Sequence, residues 1–522
     1  MNKKIVLALV LYGISLAGCN TNLLNIEPND RYTEGNFWTS EKLATTALTA
    51  CYAELSYAGL YGGDATPLWE ETASPNAYNK DNADSWNSIA EGLQSASSGG
   101  IISNRWAECY GGIGRCNTFL VKVNQVPMDN ALRRRMKGEA YFLRALFYFN
   151  LENYWGDVPL ILDPPDATTQ ADLPRTPRED VVQQIMTDLD SAAAILPVKY
   201  SSVDLGRATR GAALALKAKV LLFEASPLLN TAGDETRWQK AAAAAKQVMD
   251  MAEEAGYGLF PNYRDLFLPE NENNEEVIFD VQFIYPNEGN SFDLIDRQYN
   301  SNAPLLGLVN AYEMKDGLPI TDPASGYDPA DPYKDRDPRL GETVVYPGAK
   351  YMGQEVSTKL FAITGFGLKK YSVYTEDTPD PTLANLKSGQ SYTNYIVIRY
   401  ADVLLWYAEA ENEYAGPDAS VYDAVNQVRA RAGMPGIPDG LSKDSMRQVI
   451  RLERRIEFAG EGYYYNDIRR WKTAEDLMNA KIYAWDGKAI ETRKFDPARD
   501  YWWPIPQTEL DLNPNLKQNT GY

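Results

Sequence analysis

Three stretches of the chain repeat one pattern, in which a small residue stands just before several large apolar ones. They are RALFYF (144–149), KAKVLLF (217–223) and YADVLLWYAEA (400–410). At helical spacing, small residues followed by large ones let neighbouring helices approach closely and interlock. The small residues Ala145 and Ala218 lie 73 residues apart, close to two helical hairpins of about 34 residues each. The pattern therefore predicts a mainly α fold built from tetratricopeptide-like helical hairpins.

Helix signals occupy two parts of the chain, about residues 36–255 and about residues 396–475. Between them, from about 256 to 395, Gly, Pro, Asn and Asp interrupt short apolar runs such as EVIFDVQFIY. This texture is typical of loops with a few short strands. We therefore predict a helical scaffold, a long loop-rich insert and a C-terminal segment, residues 476–522. Three of the predicted helices cover residues 103–125, 208–229 and 235–255.

The start of the chain resembles a bacterial export signal that ends in a lipoprotein box. Two lysines precede an apolar run of about twelve residues, which is too short to cross a membrane as a helix. The run ends in Leu-Ala-Gly-Cys, so we expect residues 1–18 to be removed and Cys19 to be acylated. Lipid chains on Cys19 would then hold residues 19–522 at a membrane. A plain export signal followed by a chance cysteine is the alternative.

Composition excludes several classes of function. The chain has 71 acidic and 51 basic residues and a formal net charge of −20, so a nucleic-acid partner, which needs a positive surface, is not expected. It contains no histidine, which excludes Ser-His-Asp and Cys-His catalysis and histidine-ligated zinc. Cys51, Cys109 and Cys116 cannot all pair with one another, so we do not expect a disulfide framework.

Two charged stretches are candidates either for catalysis or for structural pairing. Glu409 and Glu413 share one face of a predicted helix and could form a glycosidase-like pair, whereas Glu411 points elsewhere. The stretch RLERRIEFAGEGYYYNDIRRW (451–471) is rich in arginine, which pairs with carboxylates through two parallel hydrogen bonds. We expect arginine–carboxylate pairs to hold helices together. A carboxylate-dependent glycoside hydrolase and an arginine clamp on a substrate are the alternatives.

A third charged stretch, DPASGYDPADPYKDRDP (322–338), is rich in oxygen ligands and could hold a structural calcium ion. It lacks the ligand spacing and the glycine of the helix–loop–helix calcium site. We therefore interpret it as an acidic surface loop stiffened by proline. We expect neither a catalytic metal nor an organic cofactor.

Irregular regions at 60–90 and 282–300 contain the best candidates for ligand contacts, because ligands are usually met by loops on a rigid scaffold. Sugar rings have apolar faces and hydroxyl edges, which suit Trp or Tyr rings flanked by Asn, Asp or Arg. We expect Trp86 in particular to stack on a ligand, whereas Trp106, inside a predicted helix, is assigned to the core. The candidate ligand contacts are Asp64, Trp69, Trp86, Asn87, Tyr285, Arg297 and Tyr299.

Seven motifs extend over nearly the whole of residues 19–522. In chain order they are FWTSEKLATTALTACYAEL, EAYFLRALFYFNLENYWGDVPLI, KDRDPRL, IRYADVLLWYAEAENEY, VNQVRARAG, IRLERRIEFAGEGYYYNDIRRW and YWWPIPQTELDLNPNLKQNTGY. Together they resemble the SusD/RagB family of outer-membrane lipoproteins of Bacteroidetes, and the last four are the most specific. The resemblance implies one SusD-like domain over residues 19–522 with tetratricopeptide-like helical repeats.

The resemblance also implies a function. Members of this family sit on the outer face of the outer membrane, bind a nutrient that is usually an oligosaccharide, and are not enzymes. They form the lid of a SusC-like TonB-dependent transporter, and release follows a shift between closed and open states. We therefore expect a lipid-anchored, cell-surface glycan-binding protein with a SusC-like transporter as its partner. A purely structural repeat scaffold is a further alternative.

Overall fold

The computed structural model describes residues 33–522. The export signal predicted at 1–18 and the lipidation site predicted at Cys19 lie outside the described residues, so both stay predictions. No helix among residues 33–522 is both long enough and apolar enough to cross a membrane.

Helices dominate the described part of the chain, which confirms the predicted mainly α class. Ser40, Asp129 and Thr209 each accept a hydrogen bond from a main-chain N–H in the first turn of the helix that follows. Such caps satisfy amides that a helix leaves unpaired, and they fix where the helix begins. Ten described helices have seven or more residues: α1 (Glu41–Ala53), α2 (Ile101–Lys122), α3 (Asn130–Trp155), α4 (Arg178–Ile195), α5 (Arg210–Ala225), α6 (Glu235–Asp250), α7 (Tyr400–Ala415), α8 (Ala419–Arg431), α9 (Lys443–Glu457) and α10 (Tyr464–Arg470). Shorter α-helical turns are Glu34–Phe37, Thr66–Glu70, Trp86–Ala90, Ala167–Gln170, Ala252–Ala255, Phe292–Leu294, Leu306–Val309, Arg339–Thr343, Ala474–Leu477 and Gln507–Leu512.

Each helix of the first part of the scaffold packs on the next one. Contacts join α2 to α3, α3 to α4, α4 to α5 and α5 to α6, as expected for helices connected by short loops. Ala145, Ala218 and Ala401 are all buried, as the small-before-large pattern predicts. The tetratricopeptide-like geometry of the hairpins stays a prediction.

The insert separates α6 from α7 in sequence, but these two helices pack against each other. Strands β1 (Val277–Val281) and β2 (Tyr395–Arg399) pair antiparallel near the two ends of the insert. The chain therefore leaves the helical scaffold and returns to it at neighbouring points. The C-terminal segment adds the antiparallel hairpin of β3 (Lys481–Tyr483) and β4 (Ala489–Thr492). Two-residue strands also pair: Ala77–Tyr78 with Ala303–Pro304, Val344–Val345 with Gly367–Leu368, and Lys350–Tyr351 with Gln354–Glu355.

A buried ionic cluster joins the insert to β2 and α9. The Arg399 guanidinium contacts the carboxylates of Glu276 at 2.7 Å, Glu457 at 2.6 Å and Glu461 at 2.8 Å. Arg339, from the motif KDRDPRL, contacts Glu457 at 2.9 Å. Because buried charges must be paired, these contacts hold insert, strand and helix in one arrangement. Between helices, Arg470 of α10 contacts Glu409 of α7 at 2.5 Å, which confirms the expectation that arginine–carboxylate pairs hold helices together.

The C-terminal segment, residues 476–522, runs back over the N-terminal part of the chain. Trp503 is fully buried, and its main-chain N–H donates to the Tyr154 carbonyl at 2.7 Å. The Arg493 guanidinium donates to the Ala77 carbonyl at 2.7 Å. The last residues of the chain therefore complete the core around the first helices.

The three cysteines within the described residues are buried and form no disulfide: Cys51, Cys109 and Cys116. Burial raises the pKa of the Cys109 thiol, which keeps it protonated. In this state a cysteine packs as a small apolar side chain. Packing and ion pairs therefore hold the described fold together without cross-links.

Candidate functional site

The seven candidate ligand contacts separate into two groups in the structure. Four of them lie at the surface of the insert or against its loops: Asp64, Tyr285, Arg297 and Tyr299. Three of them are buried: Trp69, Trp86 and Asn87. The structure therefore leaves the first group at least partly accessible to a ligand and assigns the second group to the interior.

The prediction that Trp86 offers a stacking surface is corrected by its burial. Trp86 is 0% exposed, and its ring meets the edge of Trp503 with centroids 5.7 Å apart. The Arg105 guanidinium lies 5.6 Å from its ring centroid. A ligand cannot reach this ring, so we remove Trp86 from the candidate contacts. Trp106 is buried against Trp155, with centroids 5.3 Å apart, and this confirms its assignment to the core.

Trp69 and Asn87 are also turned inward. The Trp69 indole N–H donates to the Ser301 hydroxyl at 2.8 Å, which ties the N-terminal part of the chain to the insert. The Asn87 amide donates to Glu91 at 3.1 Å and to Glu491 at 3.4 Å. Both side chains are buried, so a ligand at the surface does not reach them, and both residues are corrected to structural positions.

Asp64 joins two loops of the insert to the N-terminal part of the chain. Its Oδ1 accepts hydrogen bonds from the hydroxyls of Ser291 at 2.7 Å and Ser388 at 2.9 Å. Its Oδ2 has no hydrogen-bond partner among residues 33–522. Asp64 is exposed, so this free oxygen can accept a hydrogen bond from a ligand hydroxyl.

Two tyrosines of the insert are exposed. Tyr285 is 51% exposed and meets the edge of the Tyr392 ring, with centroids 6.1 Å apart. Tyr299 is 45% exposed. The next residue, Asn300, has a left-handed backbone and donates to the Phe366 carbonyl at 3.1 Å, which holds this turn against its neighbouring loop. Half-exposed rings of this kind can pack against the apolar face of a sugar.

A groove of about 380 Å³ opens beside Arg297. The Arg297 guanidinium donates through Nη2 to the Leu386 carbonyl at 3.4 Å, while its Nε has no partner within the described chain. The remaining lining residues are Tyr351, Met352, Gln354, Glu355, Val356, Ser357, Leu360, Thr378, Pro379 and Ala384. Apolar walls with a few polar groups are typical of sites for small ligands.

Sequence reasoning missed an exposed apolar cluster beside this groove. Leu360, Ile363 and Trp485 are 53%, 42% and 39% exposed. The main-chain N–H of Trp485 donates to the Thr364 carbonyl at 2.8 Å, so the tip of the β3–β4 hairpin packs against the loop that contains Thr364. Gly365 lies directly under the indole, because a Cβ at this position would be 2.0 Å from Cδ1 of Trp485.

A sequence signal for this hairpin was available. Asp486-Gly487 is a dipeptide typical of hairpin turns, and Tyr483 and Trp485 precede it at alternating positions. Alternation in a strand places such side chains on one face. We use the name insert face for the accessible residues of the insert and of the elements that contact it: Asp64, Tyr285, Arg297, Tyr299, Leu360, Ile363 and Trp485.

Two aspartates lie fully buried behind the insert face. Asp293 Oδ1 accepts hydrogen bonds from the Ser372 hydroxyl at 2.9 Å and the Val373 N–H at 2.7 Å, and Asp296 Oδ1 accepts from the Asn302 amide at 2.8 Å. Burial raises the pKa of Asp296 well above its ordinary value, and the nearby Asp293 carboxyl raises it further. Neither carboxyl reaches the surface, so neither can exchange a proton with a ligand bound at the insert face.

Comparison with known proteins identifies the family. Residues 271–522 match the SusD family, and residues 27–222 match a family described as starch-binding associating with outer membrane. A SusD-like carbohydrate-binding protein of Bacteroides fragilis, known from its crystal structure, is 30% identical. It superposes with a TM-score of 0.80 over 92% of this chain and 100% of that chain. This chain belongs to the SusD family.

Further relatives of this SusD-family protein match along most of its length. SusD-like protein P2 of Formosa agariphila is 26% identical over an alignment 554 positions long, which covers 100% of each chain. A laminarin-binding SusD-like protein of known structure is 25% identical, with a TM-score of 0.70 over 93% of this chain and 100% of that chain. Scaffold and insert are therefore both shared with proteins of this family.

In this SusD-family protein, arginines hold the two acidic residues that could suggest hydrolysis. Glu409 accepts two hydrogen bonds from Arg470, at 2.5 and 2.7 Å, and one from the Trp471 indole at 2.7 Å. Burial alone would raise the pKa of Glu409, but Arg470 lowers it to about 2. Glu413 accepts hydrogen bonds from Nε and Nη2 of Arg447. Both carboxylates line one groove of the helical scaffold, but each is held by an arginine as a structural partner, so neither is left free to act as one of an acid–base pair.

Loop 322–338 also uses its carboxylates internally. Asp322 accepts a hydrogen bond from the Ala324 N–H at 2.8 Å, and Asp328 accepts one from the Ala330 N–H at 2.9 Å. Nowhere in residues 33–522 do three or more Asp, Glu or Cys side chains converge as metal ligands. The possible calcium site in this loop therefore has no ligand cluster to support it.

Proposed function

We propose that this SusD-family protein binds an oligosaccharide at the insert face and leaves it chemically intact. The observation that carries the proposal is the groove beside the Arg297 guanidinium, together with the exposed rings of Tyr285 and Tyr299 in the insert and of Trp485 on the β3–β4 hairpin. Exposed rings bind the apolar faces of sugars, and the guanidinium and the Asp64 carboxylate bind hydroxyl groups. Such a surface supplies affinity without supplying a catalytic group.

The named relatives support the same proposal. The B. fragilis protein is a carbohydrate-binding protein by its description, and another relative of known structure binds laminarin. The family that matches residues 27–222 is described as starch-binding. We therefore choose β-glucans and α-glucans as the first ligands for testing.

Calorimetric titration with laminarin and malto-oligosaccharides tests the insert face. Trp485→Ala and Tyr299→Ala should each raise Kd about two- to tenfold, because one stacked ring contributes about 0.5–1.5 kcal/mol. Tyr414→Ala is the matched control, since Tyr414 is an exposed aromatic residue on α7, outside the insert face. Equal effects of all three variants, or no effect of the first two, would remove the insert face as the glycan site.

The glycoside hydrolase alternative makes a different prediction. Purified protein incubated with the same glycans should release no new reducing ends, because Glu409 and Glu413 are held by arginines and Asp293 and Asp296 are buried. Turnover that disappears in a single Glu→Gln variant would overturn the binding-only proposal.

We also propose that the protein is anchored by lipid at Cys19 to the outer membrane, with its glycan-binding surface outside the cell. The family match described as associating with outer membrane supports this location. Cys19→Ala should abolish incorporation of a labelled fatty acid and release the protein from the membrane fraction. Unchanged labelling in this variant would contradict the anchor.

The proposed partner is a SusC-like TonB-dependent transporter, which this protein would cover as a lid. Membership of the SusD family supports the assignment. Affinity purification of the lipid-anchored protein from outer membranes should recover a TonB-dependent transporter, and bound glycan should change the crosslinking between the two. Recovery of the protein alone under mild detergent would contradict a stable complex.

A further inference from the structure

A second groove, of about 550 Å³, lies on the helical scaffold and away from the insert face. Trp238 of α6 forms one side, and Arg447 and Arg451 of α9 form another, with Lys472 just after α10. The volume lies in the range of small-molecule sites, which is about 300–1,000 Å³. The groove is therefore large enough for one or two sugar rings.

Three hydrogen-bond donors in this groove have no acceptor among the described residues. Arg451 makes no hydrogen bond or ion pair there; its Nε is buried without a partner, and its guanidinium lies over the Trp471 ring at 4.8 Å. Neither the Lys472 ammonium nor the Trp238 indole N–H has an acceptor within residues 33–522. Of the three, only Arg451 Nε is buried, and a buried donor without an acceptor costs free energy. The exposed Lys472 ammonium and the half-buried Trp238 indole are open to a ligand that supplies acceptors.

Two carboxylates, Glu409 and Glu413, also line this groove, and both are already paired. Glu409 is held by Arg470 and Trp471, and Glu413 is held by Arg447. Neither carboxylate is therefore available to Arg451.

The charge balance agrees with this geometry. The hydrogen bond to Glu413 raises the pKa of Arg447, as expected for a paired arginine. Burial lowers the pKa of Arg451, and the nearby Arg470 and Arg447 guanidiniums lower it further, against the opposite effect of Glu409 and Glu413. The charged residues that line the groove are the cations Arg447, Arg451 and Lys472 and the carboxylates Glu409 and Glu413, so its lining has a small excess of positive charge in a chain with a net charge of −20.

We propose that this groove is a second saccharide site and binds an anionic sugar, with a carboxylate or sulfate ester against Arg451 and Lys472 and the ring against Trp238. A guanidinium matches two oxygens of such a group through parallel N–H donors. The Trp238 ring, half-buried at the groove wall, supplies the apolar surface for the sugar ring. The inference concerns a site separate from the insert face and does not depend on it.

Calorimetric titration with three matched polymers tests this inference: oligogalacturonate for carboxylates, sulfated dextran for sulfate esters, and neutral dextran. We expect binding of one or both acidic polymers, no binding of neutral dextran, and weaker binding as sodium chloride rises from about 50 to about 300 mM. Arg451→Gln and Lys472→Gln should each weaken acidic binding roughly tenfold, because hydrogen bonds to charged groups are stronger than neutral ones.

Lys240→Gln is the matched charge control, because Lys240 is an exposed lysine on α6 that does not line the groove. It should leave acidic binding unchanged, and so should Tyr299→Ala in the insert face. If only the insert-face proposal is wrong, neutral glucans will fail to bind while the acidic polymers still bind, so the two failures can be told apart. Equal weakening by Lys240→Gln and Lys472→Gln, or equal binding of neutral dextran, would overturn the second site.

Two further measurements keep the test independent of folding. Lys472 is exposed, so Lys472→Gln should keep the thermal midpoint of the parent protein even if Arg451→Gln lowers it through loss of the Trp471 contact. Trp238→Phe keeps a ring but removes the indole N–H, and it should also weaken acidic binding. Polyglutamate that binds as tightly as the acidic sugars, with the same dependence on Lys472, would identify an acidic peptide as the ligand and overturn the saccharide assignment.

Discussion

At the scale of single residues, buried charges are held by partners from other elements. Glu409 on α7 meets Arg470 of α10 and the adjacent Trp471, and all three are buried. Burial of an ion is costly, and the cost is offset only while the partner is present. The residue that most resembles a catalytic acid in the sequence is therefore a structural element of the scaffold.

Glu409→Gln should lower the free energy of unfolding by about 3–5 kcal/mol, because Arg470 would be left as a buried charge with one partner fewer. Urea denaturation followed by circular dichroism measures this loss. Glu411→Gln, on the same helix but only partly buried, is the control and should change stability by less than about 0.5 kcal/mol. Equal losses in both variants would contradict the assigned role of Glu409.

The same ion pair predicts a pH dependence. The pKa of Glu409 falls from an ordinary 4.5 to about 2 in the folded protein. A lowered pKa in the folded state means that the stabilisation is complete above the unfolded value and is lost as pH falls from about 4.5 to about 2. Over this window the parent protein should lose on the order of 3 kcal/mol more than Glu409→Gln. Parallel stability curves for the two proteins would contradict the ion pair.

At the scale of elements, the positions of helices can be predicted from local sequence, but the arrangement of the loops in the insert cannot. The predicted helices at 103–125 and 208–229 are observed at Ile101–Lys122 and Arg210–Ala225, because caps and 3.6-residue spacing are local signals. Loops of the insert depend on distant partners instead, such as Ser388, which donates to Asp64. No local pattern contains that information.

Long-range contacts also decide which residues of the candidate site are accessible. Tyr285 and Tyr299 were identified from an irregular region and are exposed, whereas Trp86 is buried by Trp503, more than 400 residues later in the chain. Trp485 was missed because its exposure depends on the loop around Thr364. Residue type predicts which side chains can bind a sugar, but only the long-range packing decides which of them are accessible.

Gly365→Ala tests the contact between the β3–β4 hairpin and its neighbouring loop. Gly365 has a φ of +79°, and a Cβ would overlap the Trp485 ring, so the variant should lose about 1–2 kcal/mol and shift the indole. Glucan affinity and tryptophan fluorescence should both change. Gly389→Ala also has a positive φ but nothing near its Cβ, so it should lose stability with little change in fluorescence.

At the scale of the whole molecule, the two ends of the chain share one core. Trp503 of the C-terminal segment stacks on Tyr154 of α3 at 4.2 Å and meets the edge of Trp155 at 5.4 Å. Arg493 binds main-chain carbonyls of the N-terminal part. Packing that joins distant parts of the chain makes them unfold together.

Trp503→Ala should lower the free energy of unfolding by about 3–5 kcal/mol, because it leaves a large cavity among buried rings. Denaturation followed by circular dichroism and by fluorescence should still give one coincident transition. Trp502→Ala, at the neighbouring and partly exposed position, should cost clearly less. Two separate transitions in the parent protein would contradict a shared core.

The packing of α6 directly on α7 gives the insert a particular kind of freedom. The insert begins and ends at neighbouring points of the scaffold, so its length and its side chains can change while the helices keep their contacts with one another. Loops whose ends are already held together tolerate such exchange. The same scaffold can thus carry a different insert, with different ligand contacts, between the same two helices.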